Sequence, residues 1–336
     1  LEAVEVPKPN RMNNKYIVFL LASTACILWA TAFPFLKLSY ITLGIKPDDI
    51  YTNMLFASYR FFTAGLMLFG FLVISREPLL LDRVGLIGPL VILGLFQTSL
   101  QYFFFYIGLA HTTGVKASVL GATGSFFAVI LAHFLYKNDR ISCYKVMGLV
   151  AGFAGVVAVN LTKGKLSLEF TLFGEGFLVI SALVSTIGAV VAKDLSAKVS
   201  PVLASAYQMV FGSILLFGAA ITGVSPGALN FTPYGAGLFL WLAFLSAAAF
   251  TLWYMVLKYN PLGQVSIYKF LIPVFGAIFS ALLIPGEKIT PGVLVALVLV
   301  SVGIIIINYE GVEGEEGSGS SGCGLGRNKR MEKGRS

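Results

Sequence analysis

The stretch Tyr59-Arg60-Phe61-Phe62-Thr63-Ala64-Gly65-Leu66-Met67-Leu68-Phe69-Gly70 decides the fold in two ways. It sits inside an apolar run, Asn53–Ser75, that reaches the ~20 residues needed to cross a hydrocarbon core of ~30 Å. It also returns 148 residues later as Tyr207-Gln208-Met209-Val210-Phe211-Gly212-Ser213-Ile214-Leu215-Leu216-Phe217-Gly218, with Tyr, Leu, Phe and Gly in the same places. The same offset pairs Phe96, Tyr106 and Leu109 with Phe244, Tyr254 and Leu257. It pairs Ser118, Phe127, Ile130 and Ile141 with Ser266, Phe275, Ile278 and Ile289, and Gly155 and Asn160 with Gly303 and Asn308. Single matches mean little in so biased a composition. Their ungapped persistence across four helices implies a duplicated unit.

Composition sets the solvent. Of 336 residues, 57% are hydrophobic and 12% charged, with a mean hydropathy of +0.85. A soluble domain carries about 25% charged residues, so a soluble globular, disordered or disulfide-stapled protein is excluded. Ten spans follow: Tyr16–Leu38, Asn53–Ser75, Val84–Tyr106, Gly114–Tyr136, Cys143–Leu161, Gly174–Ala192, Pro201–Ile221, Pro233–Leu257, Val265–Pro285 and Pro291–Tyr309. Runs of this length satisfy their own backbone hydrogen bonds as helices, not as the alternating short strands of a barrel. Because five is odd, the second copy enters the membrane in the opposite sense. The expected fold is an all-α integral membrane protein of ten transmembrane helices in two inverted five-helix repeats, an architecture that rocks about a site near the midplane.

The expected domains are an N-terminal segment over 1–15, a first repeat over 16–161, a linker over 162–173, a second repeat over 174–309 and a Gly/Ser-rich disordered tail over 310–336. Leu1–Arg11 is polar and proline-bearing, and Met12 is a candidate natural start. With the N-terminus inside, sixteen Lys and Arg residues fall in cytoplasmic segments and six outside, and internal loops alone divide eight to six. This predicts a multi-pass inner-membrane protein with both termini cytoplasmic. The net charge of +8 is then a topology signal, and no nucleic-acid partner is expected. Cys26, Cys143 and Cys323 are too scattered for a disulfide framework or a metal cluster, and no cofactor is expected.

Several short elements resemble the ten-helix EamA branch of the drug/metabolite transporter superfamily. They are Trp29-Ala30-Thr31-Ala32-Phe33-Pro34 in the first span, Tyr59-Arg60-Phe61 in the second, Trp253-Tyr254-Met255-Val256-Leu257-Lys258 in the eighth, Leu271-Ile272-Pro273-Val274-Phe275-Gly276 in the ninth, and Gly286-Glu287-Lys288-Ile289-Thr290. The resemblance covers about Tyr16 to Asn308 and rests on order and spacing. It departs at Ala30 for a glycine, Ser125 for a proline, and Asn138-Asp139 for Gly-Glu, which opens the question of helix geometry in the first half. It implies a carrier of small metabolites such as amino acids, amines or drugs.

Two charges lie deep in spans, Arg60 and Lys269, where each costs about 2.5–3.5 kcal/mol on insertion scales. Either can snorkel to an interface. For Arg60 a structural or gating role is weighed against ligand contact. Lys269, with Gly121 as its repeat mate and Pro273 four residues on, reads as a cavity residue. Gln97 and Gln101 are four apart on one helix face, beside Tyr102, and either bond between helices or face a wet cavity. Trp29, Tyr102 and Trp253 are the candidate aromatic walls, and Pro34 and Pro273 the candidate kinks.

No carboxylate lies deep in a span: Glu175 and Asp194 fall near ends, which disfavours a midplane proton relay. No His-Glu-x-x-His or paired intramembrane aspartates point to an enzyme, so no catalytic or metal residues are expected. No ring of charges or carbonyls points to a channel. The expected function is secondary transport, by alternating access, of a small and amino-acid-like or otherwise amphipathic metabolite, as export or exchange. A sugar-phosphate or nucleotide-sugar exchanger and a proton-coupled drug exporter are the alternatives. The expected partners are that substrate and the bilayer, with a monomer or homodimer both open.

Overall fold

A computed structural model describes residues 14–46, 48–79, 81, 83–112, 114–161, 170–286 and 288–316. Glu287, the N-terminal residues 1–13, most of the linker (162–169) and the tail beyond 316 lie outside the described residues. Among the described residues ten helices are long and apolar enough to cross a bilayer. They are α1 (Lys15–Leu43), α2 (Ile50–Ile74), α3 (Val84–Ala110), α4 (Ala117–Leu135), α5 (Cys143–Leu161), α6 (Leu172–Ser196), α7 (Pro201–Ala220), α8 (Pro233–Tyr259), α9 (Leu262–Leu283) and α10 (Pro291–Asn308). The last continues as helix to Glu316, beyond the Tyr309 at which the hydropathy run ends. Helix starts follow ordinary capping chemistry. Ser200 and Thr232 accept from the backbone of Leu203 and Gly235, each followed by proline in the first turn, whose missing N–H costs nothing there.

The two repeats interleave across a two-fold axis. Helix α1 packs on α8 and α9, and its counterpart α6 packs on α3 and α4; α2 meets α7, α4 meets α9 and α5 meets α10. Side chains repeat the symmetry. Tyr59 Oη donates to the Pro226 carbonyl (2.8 Å) while its mate Tyr207 donates to the Leu79 carbonyl (3.0 Å). Tyr59 stacks on Phe217 at 6.0 Å, and Tyr207 meets Phe69, the mate of Phe217, at 5.1 Å. Asn160 braces α5 to Ser118 of α4, and Asn308 braces α10 to Tyr268 of α9. In each pair of bonds the two donors are 148 residues apart and the two acceptors lie within two residues of that offset, so the offset is a spatial symmetry.

In lipid, helices are held by close packing more than by hydrophobic exclusion. The α5–α10 contact shows how: a Cβ on Gly303 would stand 2.8 Å from the Gly148 carbonyl oxygen, and one on Gly155 would stand 3.1 Å from the Ala296 carbonyl. At Gly94 and Gly212 the same device brings the backbones of α3 and α7 together.

Three spans are interrupted. In α9 a 3₁₀ turn covers Ile267–Phe270 before the α-helix resumes at Leu271. Pro273 explains it: lacking an N–H and crowding the carbonyl four residues back, it frees the backbone of Lys269 from regular helix. Helix α4 breaks at the matching place, between Gly121 and Gly124, where Thr123 Oγ1 bonds the Leu120 carbonyl. Ser125 occupies the position matching Pro273, so the break survives the substitution of that proline, and Ser125 Oγ crosses to the Ser266 carbonyl at 2.9 Å. In α3 a π-helical turn spans Leu95–Leu100, where Gln97, Thr98 and Ser99 are all buried.

Asp139, the residue in place of the expected glutamate, is 2% exposed and forms an ion pair with Lys145 at 2.8 Å. Its other oxygen accepts from the Gly263 backbone N–H (2.7 Å), one of the donors left open at the start of α9. Nearby Tyr136 donates to Asp194 (2.8 Å), and Lys193 donates to the Leu257 and Asn260 carbonyls at the end of α8. Burial and the Asp194 carboxylate push the Tyr136 phenol above its usual range. His133 is likewise occupied, its Nδ1 accepting from the Ile141 backbone at 3.0 Å.

Candidate functional site

The irregular turn of α9 places Lys269 with its Nζ 5.0 Å from the ring of Trp253 on α8. Such a cation–π contact returns about 0.5–2 kcal/mol of the cost of burying the ammonium. The buried thiol of Cys26, on α1, lies beside the same charge. Trp253 is 1% exposed and meets Trp29 of α1 at 5.6 Å; Trp29 in turn meets Phe250 at 5.1 Å. Phe250 continues to Phe61 of α2 at 6.4 Å, and Phe61 to Tyr102 of α3 at 4.7 Å. Over Phe61 lies the Arg60 guanidinium, 4.4 Å from the ring centroid. A continuous ladder of rings therefore joins the two intramembrane cations. It draws on α1, α2, α3 and α8, with Lys269 on α9, and so on both repeats.

Five of the sequence-derived candidates, Trp29, Arg60, Tyr102, Trp253 and Lys269, meet on this ladder. Gln97 and Gln101 lie beside it on α3. The Gln97 carboxamide turns toward α6, where a Cβ on Gly188 would run into it, and the Gln101 backbone carbonyl accepts from Ser181 of α6. The π-turn between them replaces regular helix spacing. Arg60 Nε, Gln97 Oε1, Gln101 Oε1 and Trp253 Nε1 are buried without a protein hydrogen-bond partner. In a low-dielectric bundle each such atom carries a desolvation cost until a polar group or water meets it. Pro34 is buried in α1, where neighbouring Phe33 fills the space above Gly276 of α9, and Pro273 sits one turn beyond Lys269.

Sequence reading missed the ring steps at Phe61 and Phe250 and the phenol of Tyr40, which joins Tyr102 near the Arg60 charge. It also passed over Gln208, although the 148-residue offset makes it the mate of Arg60. Gln208 donates to Thr98 Oγ1, and its Oε1 accepts from Tyr254, the mate of Tyr106, at 3.2 Å.

The carboxylates near span ends have structural tasks. Glu175 accepts from Thr112 Oγ1 (2.6 Å) and from the Thr171 backbone and hydroxyl, closing the first turn of α6. An apolar crevice of about 210 Å³ between α2 and α7, lined by Ser58, Tyr59, Phe62, Ser213, Ile214 and Phe217, contains none of the candidates. Its walls include the exposed Phe62 and Ile214, which face where lipid would be.

Comparison with known proteins agrees with the fold and its two repeats. The EamA-like transporter family matches residues 16–161 and 172–309, one match for each five-helix repeat. An uncharacterised transporter of Archaeoglobus fulgidus is 29% identical over 281 residues, 80% of this chain and 89% of its own. A Chlamydia muridarum protein named as an S-adenosylmethionine/S-adenosylhomocysteine transporter is 24% identical over 89% of this chain and 95% of its own. A crystal structure superposes with a TM-score of 0.72 over 90% of this chain and all of that one, at 17% identity, and so shares the fold. With both repeats matched and relatives named as transporters, the chain belongs to the EamA-like transporter family and is a multi-pass membrane transporter, not an enzyme.

Proposed function

We propose that this transporter moves a small amino-acid-like or otherwise amphipathic metabolite across the cytoplasmic membrane by alternating access, as export or exchange, with both termini cytoplasmic. The observation that carries this reading is the ring ladder between Arg60 and Lys269, where neither cation has a carboxylate partner among the described residues. Rings suit an apolar body, and two positive ends suit a molecule with a carboxylate or phosphate, or a neutral zwitterion. The named substrates of the Chlamydia relative carry an amino-acid head, which fits the same chemistry. The repeats meet through broken helices at Lys269 and Gly121–Gly124, so one repeat can rock on the other about this region.

The test is counterflow in proteoliposomes with radiolabelled amino acids, sugar phosphates and cationic drugs, with and without an imposed pH gradient. Amino-acid-like compounds are expected to exchange without the gradient, and Lys269→Ala and Trp29→Ala to lower that exchange at least tenfold. Strict dependence on a proton gradient, or full transport by both variants, refutes the proposal.

A further inference from the structure

Arg60 and Gln208 are two-fold mates in unlike states. Gln208 is neutral and closed: Tyr254 donates to its oxygen and its nitrogen donates to Thr98. The fold at that position therefore needs only an amide that ties α7 to α3 and α8. Arg60 is 3% exposed, charged, without an ion pair among the described residues, and its Nε has no protein partner. Its surroundings are ordered for recognition. Phe61 at 4.4 Å and Tyr102 at 5.7 Å set rings against the guanidinium, the Tyr102 hydroxyl bonds the same group, and Nε–H, on the edge that binds oxyanions in plane, has no protein partner. The phenols of Tyr40 and Tyr102 lie near the same charge, Tyr106 bonds Tyr40 and sets its ring 6.0 Å from Tyr102, and a phenol can donate to an anionic oxygen. Phe61 is also the first ring of the ladder, so a group bound at Arg60 would project its body toward Trp29 and Trp253.

We propose that Arg60, with Tyr40, Tyr102 and Tyr106, forms an oxyanion subsite that takes the carboxylate or phosphate of the transported molecule, distinct from the Lys269–Trp253 end of the path. This rests on the reading that the ring ladder is the transport route. Gln208 marks the duplicate of the position that did not become such a site.

The test uses the full chain purified in detergent, with binding measured by quenching of tryptophan fluorescence. The probes are 3-phenylpropionate, 2-phenylethylphosphonate, 3-phenylpropionamide and phenethylamine. Wild type is expected to bind the acid, the phosphonate or both at least tenfold more tightly than the amide or amine, and the ratio of the two tells which oxyanion the subsite prefers. Arg60→Gln, which installs the side chain of the two-fold mate, should abolish that preference, and Arg60→Lys should keep part of it. The lysine variant also serves if the glutamine variant does not fold. A wild type that binds the amide as tightly as the acids, no binding of any oxyanion probe at millimolar concentration, or a preference that survives Arg60→Gln and vanishes in Lys269→Met overturns the subsite. Counterflow separates this outcome from the broader reading. Exchange of solutes with no oxyanion preference removes the subsite and leaves the carrier, whereas no exchange in any arm removes the carrier.

Discussion

Removing the Asp139 carboxylate tests the packing logic most directly. Asp139 and Lys145 are 2% and 7% exposed, and their ion pair at 2.8 Å is backed by the Gly263 N–H on the carboxylate and the Arg140 carbonyl on the ammonium. In Asp139→Ala the ammonium keeps only a carbonyl, and breaking such a buried pair from one side costs about 3–5 kcal/mol. The Gly263 N–H also loses its acceptor, worth about 1–3 kcal/mol where water cannot replace it. The two losses share one site and do not add fully, so about 4 kcal/mol is expected for Asp139→Ala and about 3 kcal/mol for Asp139→Asn, which retains an acceptor for Gly263. The double variant Asp139→Leu with Lys145→Met removes both charges and leaves the Gly263 N–H and the Arg140 carbonyl without these partners, so it should be more stable than Asp139→Ala by about 2 kcal/mol. Thermal unfolding of the purified protein in detergent, followed by circular dichroism, should show a midpoint lower by on the order of 5–10 °C for Asp139→Ala, with partial recovery in the double variant. A midpoint within a degree of wild type, or single-variant losses that simply add, would refute the reasoning.

Other expectations follow from particular contacts. Gly303→Ala should destabilise by about 1–3 kcal/mol because its Cβ meets the Gly148 backbone carbonyl, whereas Gly70→Ala, with nothing within 4 Å, should be near neutral in the same melt. Gln208→Leu should cost about 2 kcal/mol by leaving Thr98 and Tyr254 buried without their partner, and a Tyr254→Phe change made on top of it should cost little more. Pro273→Ala restores an N–H that can bond the Lys269 carbonyl, so the 3₁₀ turn should revert toward α-helix and the melting midpoint rise by a few degrees. Counterflow should fall at the same time as Lys269 is carried off Trp253. An unchanged midpoint together with unchanged counterflow would show that the proline does not set the turn.

Much of the architecture was legible because bilayer physics leaves few choices. A hydropathy run of the right length must be a helix, and each of the ten agrees with the structure to within a few residues. The capping pairs Ser200-Pro201 and Thr232-Pro233 are local chemistry and needed no tertiary information. The candidate residues were also found largely by local cost: a charge or an amide in a span is expensive enough to stand out wherever it points. Their partners were not legible. Whether Gln97 faces Gly188, or Arg60 lies over Phe61, depends on how helices rotate about their axes, which hydropathy does not encode. Ser125 shows the limit from the other side. Losing a proline suggested altered geometry in the first repeat, yet the flanking Gly121 and Gly124 and the bond to Ser266 accompany the same break.

The sequence by itself determined the solvent, the number of spans, the duplication and the inversion of the second copy, because these follow from run length, offset and an odd helix count. Only the tertiary structure decided that the duplicated positions Arg60 and Gln208 have different fates, and that four aromatic rings from three helices line up between two charges, with Tyr102 of a fourth helix beside one of them. The physical reason is that a side chain's energy in lipid is set by neighbours from other helices, and those neighbours are chosen by packing between the repeats, not by adjacency along the chain.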